Sequence, residues 1–221
     1  MQGRLIVLEG IDGSGKSTQF KLLTDRLTQE GIPFRRIVFP RYNESSSALL
    51  RSYLSGEFGS EPQDVSAYAA STFFFVDRFA SYKTDWGSFY NNGGLIISDR
   101  YTTSNAIHQG AKLPENELCN YLDWLYDFEF RLMELPKPDI VLYMDIDLST
   151  CLNQMKIRQE RTGTAGDIHE TNSDYLAACL NTGKTAAERL GWSKISCLEN
   201  NSMRSVSDIH EDIYNMIKGV I

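Results

Sequence analysis

The stretch Gly10-Ile11-Asp12-Gly13-Ser14-Gly15-Lys16-Ser17-Thr18 follows closely after the short apolar run Leu5-Ile6-Val7-Leu8. The apolar run is typical of a buried strand, and helical spacing then appears in Phe20, Leu23 and Leu27. The glycines therefore lie between a strand and a helix, where this pattern forms a loop that binds phosphate groups. A glycine-rich turn with a surface lysine is the alternative, but it would not require Lys16 and Ser17 at this offset.

Each residue type in this loop has a chemical reason to be there. Glycines let successive backbone N–H groups converge on phosphates at the positive end of the helix. Lys16 reaches the β- and γ-phosphates, and the Ser17 hydroxyl is placed to bind Mg²⁺. We therefore expect the chain to bind ATP through Gly10, Asp12, Gly13, Ser14, Gly15, Lys16, Ser17 and Thr18.

The composition indicates a globular protein without a nucleic-acid or membrane surface. The chain has 221 residues, of which 42% are hydrophobic, and no Pro/Ser-rich linker divides it, so we expect one domain over residues 1–221. Its net charge of −7 argues against nucleic-acid binding. The sequence contains no run of about 18 apolar residues, the length that would predict a membrane-spanning helix. The cysteines form no Cys-x-x-Cys pair, which favours reduced thiols and a cytoplasmic location.

Further apolar runs have the length of strands. They are Ile37-Val38-Phe39, Leu95-Ile96-Ile97, Ile140-Val141-Leu142-Tyr143-Met144 and, more weakly, residues 195–198. Segments of helical periodicity separate them, and this alternation predicts a five-stranded parallel sheet with helices on both faces. With the phosphate loop, the pattern indicates a three-layer α/β fold of the P-loop NTPase type, in which ligands bind at the carboxyl ends of the strands.

A long helix is predicted from its candidate cap Asp64 to about Tyr82. Phe74 and Arg78 are four residues apart, so their side chains share one face of this helix. An aromatic ring beside a guanidinium suits a nucleobase, which can stack on the ring while the arginine donates to a carbonyl edge. The alternative is that the cluster Phe73-Phe74-Phe75 simply packs in the core.

Asp99 and Arg100 follow an apolar run and are expected beside the phosphate loop, at the same edge of the sheet. An acid there can help to position Mg²⁺, and the arginine can bind a phosphate with two parallel hydrogen bonds. A structural ion pair that closes the end of the strand is the alternative.

Together these features resemble the thymidylate kinase family, P-loop enzymes that transfer the γ-phosphoryl group of ATP to dTMP. The resemblance covers essentially the whole chain. It rests on Leu8-Glu9-Gly10, Phe39-Pro40-Arg41-Tyr42, Phe74 with Asp77-Arg78, Asp99-Arg100-Tyr101, Ser104-Asn105, Gln109-Gly110 and Leu135-Pro136-Lys137-Pro138-Asp139. It implies a cytoplasmic kinase that makes dTDP and ADP from dTMP and Mg·ATP, and a homodimer that associates through helical faces.

The resemblance also implies roles for single residues. Around the acceptor base it implies thymine stacking on Phe74, an edge contact from Arg78, and further contacts from Ser104, Asn105 or Gln109. Around the acceptor phosphate and sugar it implies phosphate binding by Arg41 and Arg100, a position near the 3′-hydroxyl for Asp12, and one near the metal and phosphates for Asp99. The expected metal ligands are therefore Ser17 and Asp99.

A small mobile lid is predicted over about residues 156–170, after a helix that begins near Thr150 with Ser149 as its candidate cap. The resemblance implies that its Arg158 and Arg161 act in catalysis together with Lys16, Asp99 and Arg100. It implies this because Gly13 stands where some family members carry a basic residue in the phosphate loop. Glu170 would contact the acceptor sugar or the metal. A solvated polar loop is the alternative for this segment.

His108 departs from the family pattern, since members usually carry a phenyl or phenol ring there, against the deoxyribose of the acceptor. The smaller, polar imidazole predicts weaker discrimination against a ribonucleotide. Two other functions stay open from the sequence. One is a kinase for another (deoxy)nucleotide or a deoxynucleoside, and the other is a non-catalytic nucleotide-binding switch.

Overall fold

A computed structural model describes residues 3–162, 173–200 and 202–221 of the chain. Its central sheet consists of five parallel strands: β1 (Arg4–Glu9), β2 (Phe34–Val38), β3 (Leu95–Asp99), β4 (Ile140–Asp145) and β5 (Ser193–Ser196). The strand order is β2-β3-β1-β4-β5, so β1 lies in the middle. The predicted five-stranded parallel sheet is confirmed.

Helices cover both faces of this sheet. They are α1 (Lys16–Gln29), α2 (Ala48–Leu54), α3 (Ala67–Ser81), α4 (Gly87–Asn91), α5 (Thr102–His108), α6 (Glu115–Tyr126), α7 (Leu148–Thr162), α8 (Ser173–Leu190) and α9 (Val206–Ile217). α1 packs against α9, whereas α5 packs against α3, α6 and α8. All of Leu5-Ile6-Val7-Leu8 in β1 is buried, although successive side chains point to opposite faces. Both faces of β1 are therefore covered, as an apolar run without alternation predicts.

Short segments complete the described part of the chain. Turns of 3₁₀-helix are formed by Ser45–Ser47, Pro62–Asp64 and Gly110–Lys112, and wider π-helical segments by Tyr82–Trp86 and Asp127–Leu132. The short strands β6 (Leu198–Glu199) and β7 (Ser202–Met203) pair in an antiparallel hairpin. One cluster of buried apolar side chains extends from Leu5 in β1 to Ile217 in α9. None of the helices in the described ranges has the length and apolar character needed to cross a membrane.

Two predicted helix starts are wrong by two residues each. The long helix α3 is capped by Ser66, whose hydroxyl accepts from the backbone N–H of Ala69, while Asp64 ends the preceding 3₁₀ turn. Similarly, the carboxylate of Asp147 accepts from the N–H of Thr150 at 2.8 Å, so it satisfies the free donors at the start of α7 instead of Ser149. In both places several capping residues stand close together, and the local sequence does not decide between them.

Candidate active site

The phosphate loop connects β1 to α1 with the backbone geometry that its glycines allow. Gly15 has φ 84° immediately before the first residue of α1, and Gly13 has φ 81°. A Cβ on Gly13 would also lie 2.5 Å from the carbonyl oxygen of Cys151. Side chains are thus excluded twice over at this position, by conformation and by space. The backbone can therefore approach a bound phosphate closely.

Neighbouring strands bring Lys16 and Asp99 together. Leu8 of β1 is opposite Asp99 of β3 in the parallel register, so both strands end at the same edge. The Nζ atom of Lys16 lies 2.9 Å from Oδ1 of Asp99, and both side chains are largely buried. The predicted proximity of this acid to the phosphate loop is confirmed by this contact. When a phosphate and a cation bind here, Lys16 can leave Asp99 for the phosphate, and Asp99 can bind the cation.

Arg100 is held in place by acids that surround it. Its Nη2 atom donates to Oδ1 of Asp12 at 2.5 Å, and its Nη1 atom lies 3.6 Å from Oε1 of Glu9. The backbone of Arg100 has φ 67°, a left-handed conformation that costs free energy in a residue other than glycine and occurs at functional sites. Packing must therefore enforce this conformation, which directs the guanidinium into the cavity.

Charge and burial oppose each other in this ion pair. Burial raises the pKa of the Asp12 carboxyl, but the neighbouring charges of Arg100 and Lys16 outweigh it and hold that pKa well below its usual range. Burial lowers the pKa of Arg100, while Asp12 and Glu9 outweigh it and raise that pKa. Both groups are therefore charged at neutral pH, which gives a fixed anion beside a fixed cation.

A cavity of about 290 Å³ opens at this edge of the sheet. Its lining includes these residues predicted to act in the site: Asp12, Lys16, Ser17, Phe74, Arg78, Asp99, Arg100, Ser104, Asn105, His108 and Gln109. A rim of apolar and aromatic side chains completes it, among them Val38, Phe39, Tyr42 and Leu54. The structure thus brings together residues from five separate parts of the chain.

A second cavity of about 260 Å³ lies on the other side of the phosphate loop. It is lined by Ile11, Asp12, Gly13, Ser14, Gly15, Lys16, Ser17 and Thr18 of the loop and by Gln154, Ile157 and Arg158 of α7. Asp12, Lys16 and Ser17 line both cavities. The two cavities therefore meet at the residues that the sequence motif assigns to phosphate binding.

The far wall of the first cavity has the features of a site for a flat polar ring. The ring of Phe74 is supported edge-on by Tyr53, with 6.3 Å between the ring centroids. Beside it, Arg78 donates through Nε to the fully buried carboxylate of Glu129 at 2.9 Å. The amide of Gln109 is fully buried, yet neither its nitrogen nor its oxygen has a hydrogen-bond partner among the described residues. An unpaired buried amide is costly, so this group is available to accept from and donate to a polar molecule bound in the cavity.

The comparison with known proteins agrees with this arrangement. A family model described as thymidylate kinase matches residues 8–213. The chain belongs to the thymidylate kinase family. The resemblance seen in the sequence motifs is therefore confirmed, and the chain is a nucleoside monophosphate kinase of the type that phosphorylates dTMP.

Individual thymidylate kinases match over most of their length. The chain is 32% identical over 192 residues to the thymidylate kinase of Mycobacterium tuberculosis, covering 85% of this chain and 87% of that one. It is 29% identical over 218 residues to a probable thymidylate kinase of Pyrococcus horikoshii, covering 99% and 97%. A solved thymidylate kinase structure from Candida albicans has a TM-score of 0.72 at 22% identity, covering 99% of this chain and 92% of that one, which shows the shared fold.

Several thymidylate kinase residues predicted from the sequence lie away from the first cavity or outside the described part. Arg41 donates to Asp77 at 3.1 Å and to Ser46 at 3.0 Å, and it does not line the cavity, although Pro40 and Tyr42 on either side of it do. Its role in phosphate binding stays a prediction. The Arg161 side chain and Glu170 lie outside the described residues, as does the second half of the predicted lid.

Two of the acids that hold the site arginines, Glu9 and Glu129, were not assigned roles from the sequence. Glu9 is fully buried and accepts from the backbone N–H of Gly10 and from the hydroxyls of Thr103 and Ser104. Glu129 fixes Arg78 from 51 residues away along the chain. The position of Glu9 at the end of a strand, directly before the loop, was visible in the sequence. Nothing local marked Glu129, because its partner is distant in sequence.

Proposed function

We propose that the chain transfers the γ-phosphoryl group of ATP to dTMP and releases dTDP and ADP. The observation that carries this proposal is that the two cavities meet at Asp12, Lys16 and Ser17. ATP would occupy the cavity between the loop and α7, and dTMP would occupy the cavity beside Phe74. Two substrates bound in this way have their phosphates together at the loop, which lowers the barrier by positioning.

Thymine fits the polar groups of the far wall. The imide edge of thymine has an N–H donor between two carbonyl acceptors, and the Gln109 amide can accept from the first and donate to one of the others. Arg78 can only donate, which favours the carbonyl at position 4 over the amino group that cytosine has there. Phe74 supplies a ring for stacking. Among Ser104, Asn105 and Gln109, we therefore assign the base contact to Gln109. The hydroxyl of Ser104 already donates to Glu9, and the Asn105 amide donates to the Ser71 carbonyl.

The acceptor phosphate would bind Arg100, and the sugar would lie against Asp12. Arg100 presents its guanidinium within the cavity in a fixed orientation, which reduces the entropy lost when the phosphate binds. The Asp12 carboxylate is an acceptor for the 3′-hydroxyl. Arg41 would join as a second phosphate ligand if Asp77 released it.

The transfer step needs charge neutralisation more than covalent chemistry, because the charge of the transition state is spread over the oxygens of the moving phosphoryl group. Lys16 would leave Asp99 to contact the β- and γ-phosphates. Arg158, and Arg161 from the lid, would stabilise the charge from the side of α7. The phosphate oxygen of dTMP would attack in line with the bond to ADP.

The donor atoms around the loop fit Mg²⁺. The hydroxyl of Ser17 and the carboxylate of Asp99 both line the first cavity, and hard oxygen ligands are those that Mg²⁺ prefers. No group of three or more His, Cys, Asp or Glu side chains suited to a metal occurs in the described part of the chain. Ser17 and Asp99 would therefore hold the ion together with phosphate oxygens and water. Bound there, Mg²⁺ would neutralise charge between the β- and γ-phosphates.

The test is a coupled assay of ADP release with dTMP, dUMP, UMP, dCMP, AMP and GMP as acceptors. We expect dTMP to have the highest kcat/KM. Lys16→Ala is expected to abolish turnover, whereas Lys21→Ala, which removes an exposed lysine of the same helix, is expected to keep it. Circular dichroism would verify that both variants are folded. A higher kcat/KM for another acceptor would refute the dTMP proposal, and no ADP release with any acceptor would favour a binding switch.

We further propose that the chain is one domain with a lid at about residues 156–170 and that it forms a homodimer through α3. Tyr68 and Val76 lie on one face of this helix and are 38% and 45% exposed. Light scattering would test this, with Val76→Glu expected to give monomers and Val206→Glu, at an exposed valine of α9, expected to keep the dimer. A dimer unaffected by Val76→Glu would contradict the use of this face. A cytoplasmic location stays a prediction from the sequence.

A further inference from the structure

The imidazole of His108 is held between Arg100 and Cys179. His108 is the last residue of α5 and is only 7% exposed. Its Nε2 atom lies 3.2 Å from Nη1 of Arg100, and its Nδ1 atom lies 3.6 Å from Sγ of Cys179. Both ring nitrogens thus have a defined neighbour. The ring is bound to its surroundings through specific atoms.

The chemistry of arginine decides which nitrogen carries the proton. A guanidinium can only donate hydrogen bonds, so Nε2 must offer its lone pair to Arg100. In a neutral imidazole the proton is then on Nδ1, which faces the sulfur of Cys179 and can donate to it. A protonated imidazole would have no lone pair for Arg100 and would add a second positive charge beside it, while Asp12, the carboxylate that also interacts with this ring, is already paired with Arg100. The contacts therefore select the neutral ring with its proton on Nδ1.

Helix α8 holds the ring and the backbone of His108 from the same side. The hydroxyl of Tyr175 donates to the carbonyl oxygen of His108 at 2.5 Å, and Cys179 is one helical turn further along α8. The two contacts are four residues apart, so they come from one face of the helix. Together they prevent the ring from turning away from Arg100.

We propose that His108 is a positioning residue, whose Nε2 lone pair orients the guanidinium of Arg100 toward the acceptor phosphate. Asp12 binds Arg100 through Nη2, and His108 binds it through Nη1, so the two contacts fix the plane of the fork. The role rests on the proposed function, because it concerns the arginine proposed to bind that phosphate. It differs from the sugar contact expected from the sequence, since it predicts an effect on the phosphate and none on the nucleoside.

The first test determines which nitrogen of the His108 ring carries the proton. The chain has three histidines, so the imidazole nitrogens can be resolved in a long-range ¹⁵N–¹H correlation spectrum of the unliganded protein and assigned with His108→Gln. At neutral pH we expect Nδ1 of His108 to be protonated and Nε2 to be unprotonated. A proton on Nε2 would overturn the proposal, because that atom would then be unable to accept from Arg100.

The second test measures binding of dTMP and of thymidine by calorimetry, in the wild type, in His108→Phe and in His108→Gln. Phenylalanine keeps a ring without an acceptor, whereas the amide oxygen of glutamine reaches about as far as Nε2 and can accept. We expect His108→Phe to weaken dTMP binding by about tenfold, the effect of losing one hydrogen bond to a charged group, and to leave thymidine binding unchanged. His108→Gln should restore most of the dTMP affinity.

The outcomes separate this role from the alternatives. Equal losses for dTMP and thymidine would show a sugar or packing contact and would overturn the proposal, as would full dTMP affinity in His108→Phe. If the wild type binds no dTMP, the proposed function fails, and the ¹⁵N spectrum then decides by itself whether Nε2 of His108 can accept from Arg100.

Discussion

Replacing Arg78 with methionine is expected to destabilise the protein strongly and to remove its preference for thymine. Arg78 pairs with Glu129 through two guanidinium nitrogens, and both side chains are at most 2% exposed. The hydroxyl of Thr102 also donates to this carboxylate, at 2.5 Å. Removal of one partner from such a buried pair leaves the other charge uncompensated and costs about 3–5 kcal/mol. We expect this loss in the free energy of unfolding, measured by urea denaturation at neutral pH.

A second readout separates the structural role of Arg78 from its role at the base. Arg78 lines the cavity with its guanidinium anchored, so it can donate to the carbonyl at position 4 of thymine but repels the amino group of cytosine. The ratio of kcat/KM for dTMP over dCMP should therefore fall in Arg78→Met. The double variant Arg78→Met/Glu129→Leu should regain much of the stability, since an apolar pair often replaces a buried ion pair at little cost. It should not regain the base preference.

Arg131→Met is the matched control. It removes an exposed arginine that pairs with Asp127, and both residues lie in the π-helical segment that also contains Glu129. Exposed ion pairs contribute little, so we expect no measurable change in stability or base preference. Wild-type stability in Arg78→Met would refute the reasoning about the buried pair. An unchanged dTMP to dCMP ratio would refute the base contact and leave Arg78 as a structural residue.

Other predictions concern the stacking ring of Phe74, Arg158 of α7 and the half-buried Lys112. Phe74→Ala should weaken dTMP binding by about 1–3 kcal/mol and leave ATP binding unchanged, and calorimetry showing equal losses would contradict stacking. Arg158→Ala should lower kcat more than it raises KM for dTMP. An unchanged kcat would contradict a catalytic role and favour the alternative, a solvated polar segment. Burial lowers the pKa of Lys112 from its ordinary 10.5 to about 7, so above that pH the unfolded chain binds a proton that the folded chain does not. The stability of the wild type relative to Lys112→Met should therefore rise between about pH 7 and 10, and a difference independent of pH in urea denaturation would contradict this.

Much of the fold followed from local patterns in the sequence. The phosphate loop was recognisable because its glycines, lysine and serine have fixed offsets between a strand and a helix, and the left-handed Gly13 and Gly15 agree with that reading. The central strands β1, β3 and β4 were recognisable because both of their faces are buried, which leaves continuous apolar runs. The helix starts at Ser66 and Asp147 were missed because neighbouring residues can serve equally well as caps, and tertiary packing chooses among them.

The sequence by itself therefore determined the loop, the parallel sheet and the residues that converge at its carboxyl edge, since these depend on spacing and hydrophobicity over a few residues. Only the tertiary structure decided how those residues are held. Glu129 reaches Arg78 across 51 positions, and Cys179 reaches His108 across 71. Such partners have no local signal, because a hydrogen bond between distant segments depends on where the packed helices bring their side chains. The orientation of the site arginines, and with it the chemistry of the acceptor pocket, is a property of the folded chain.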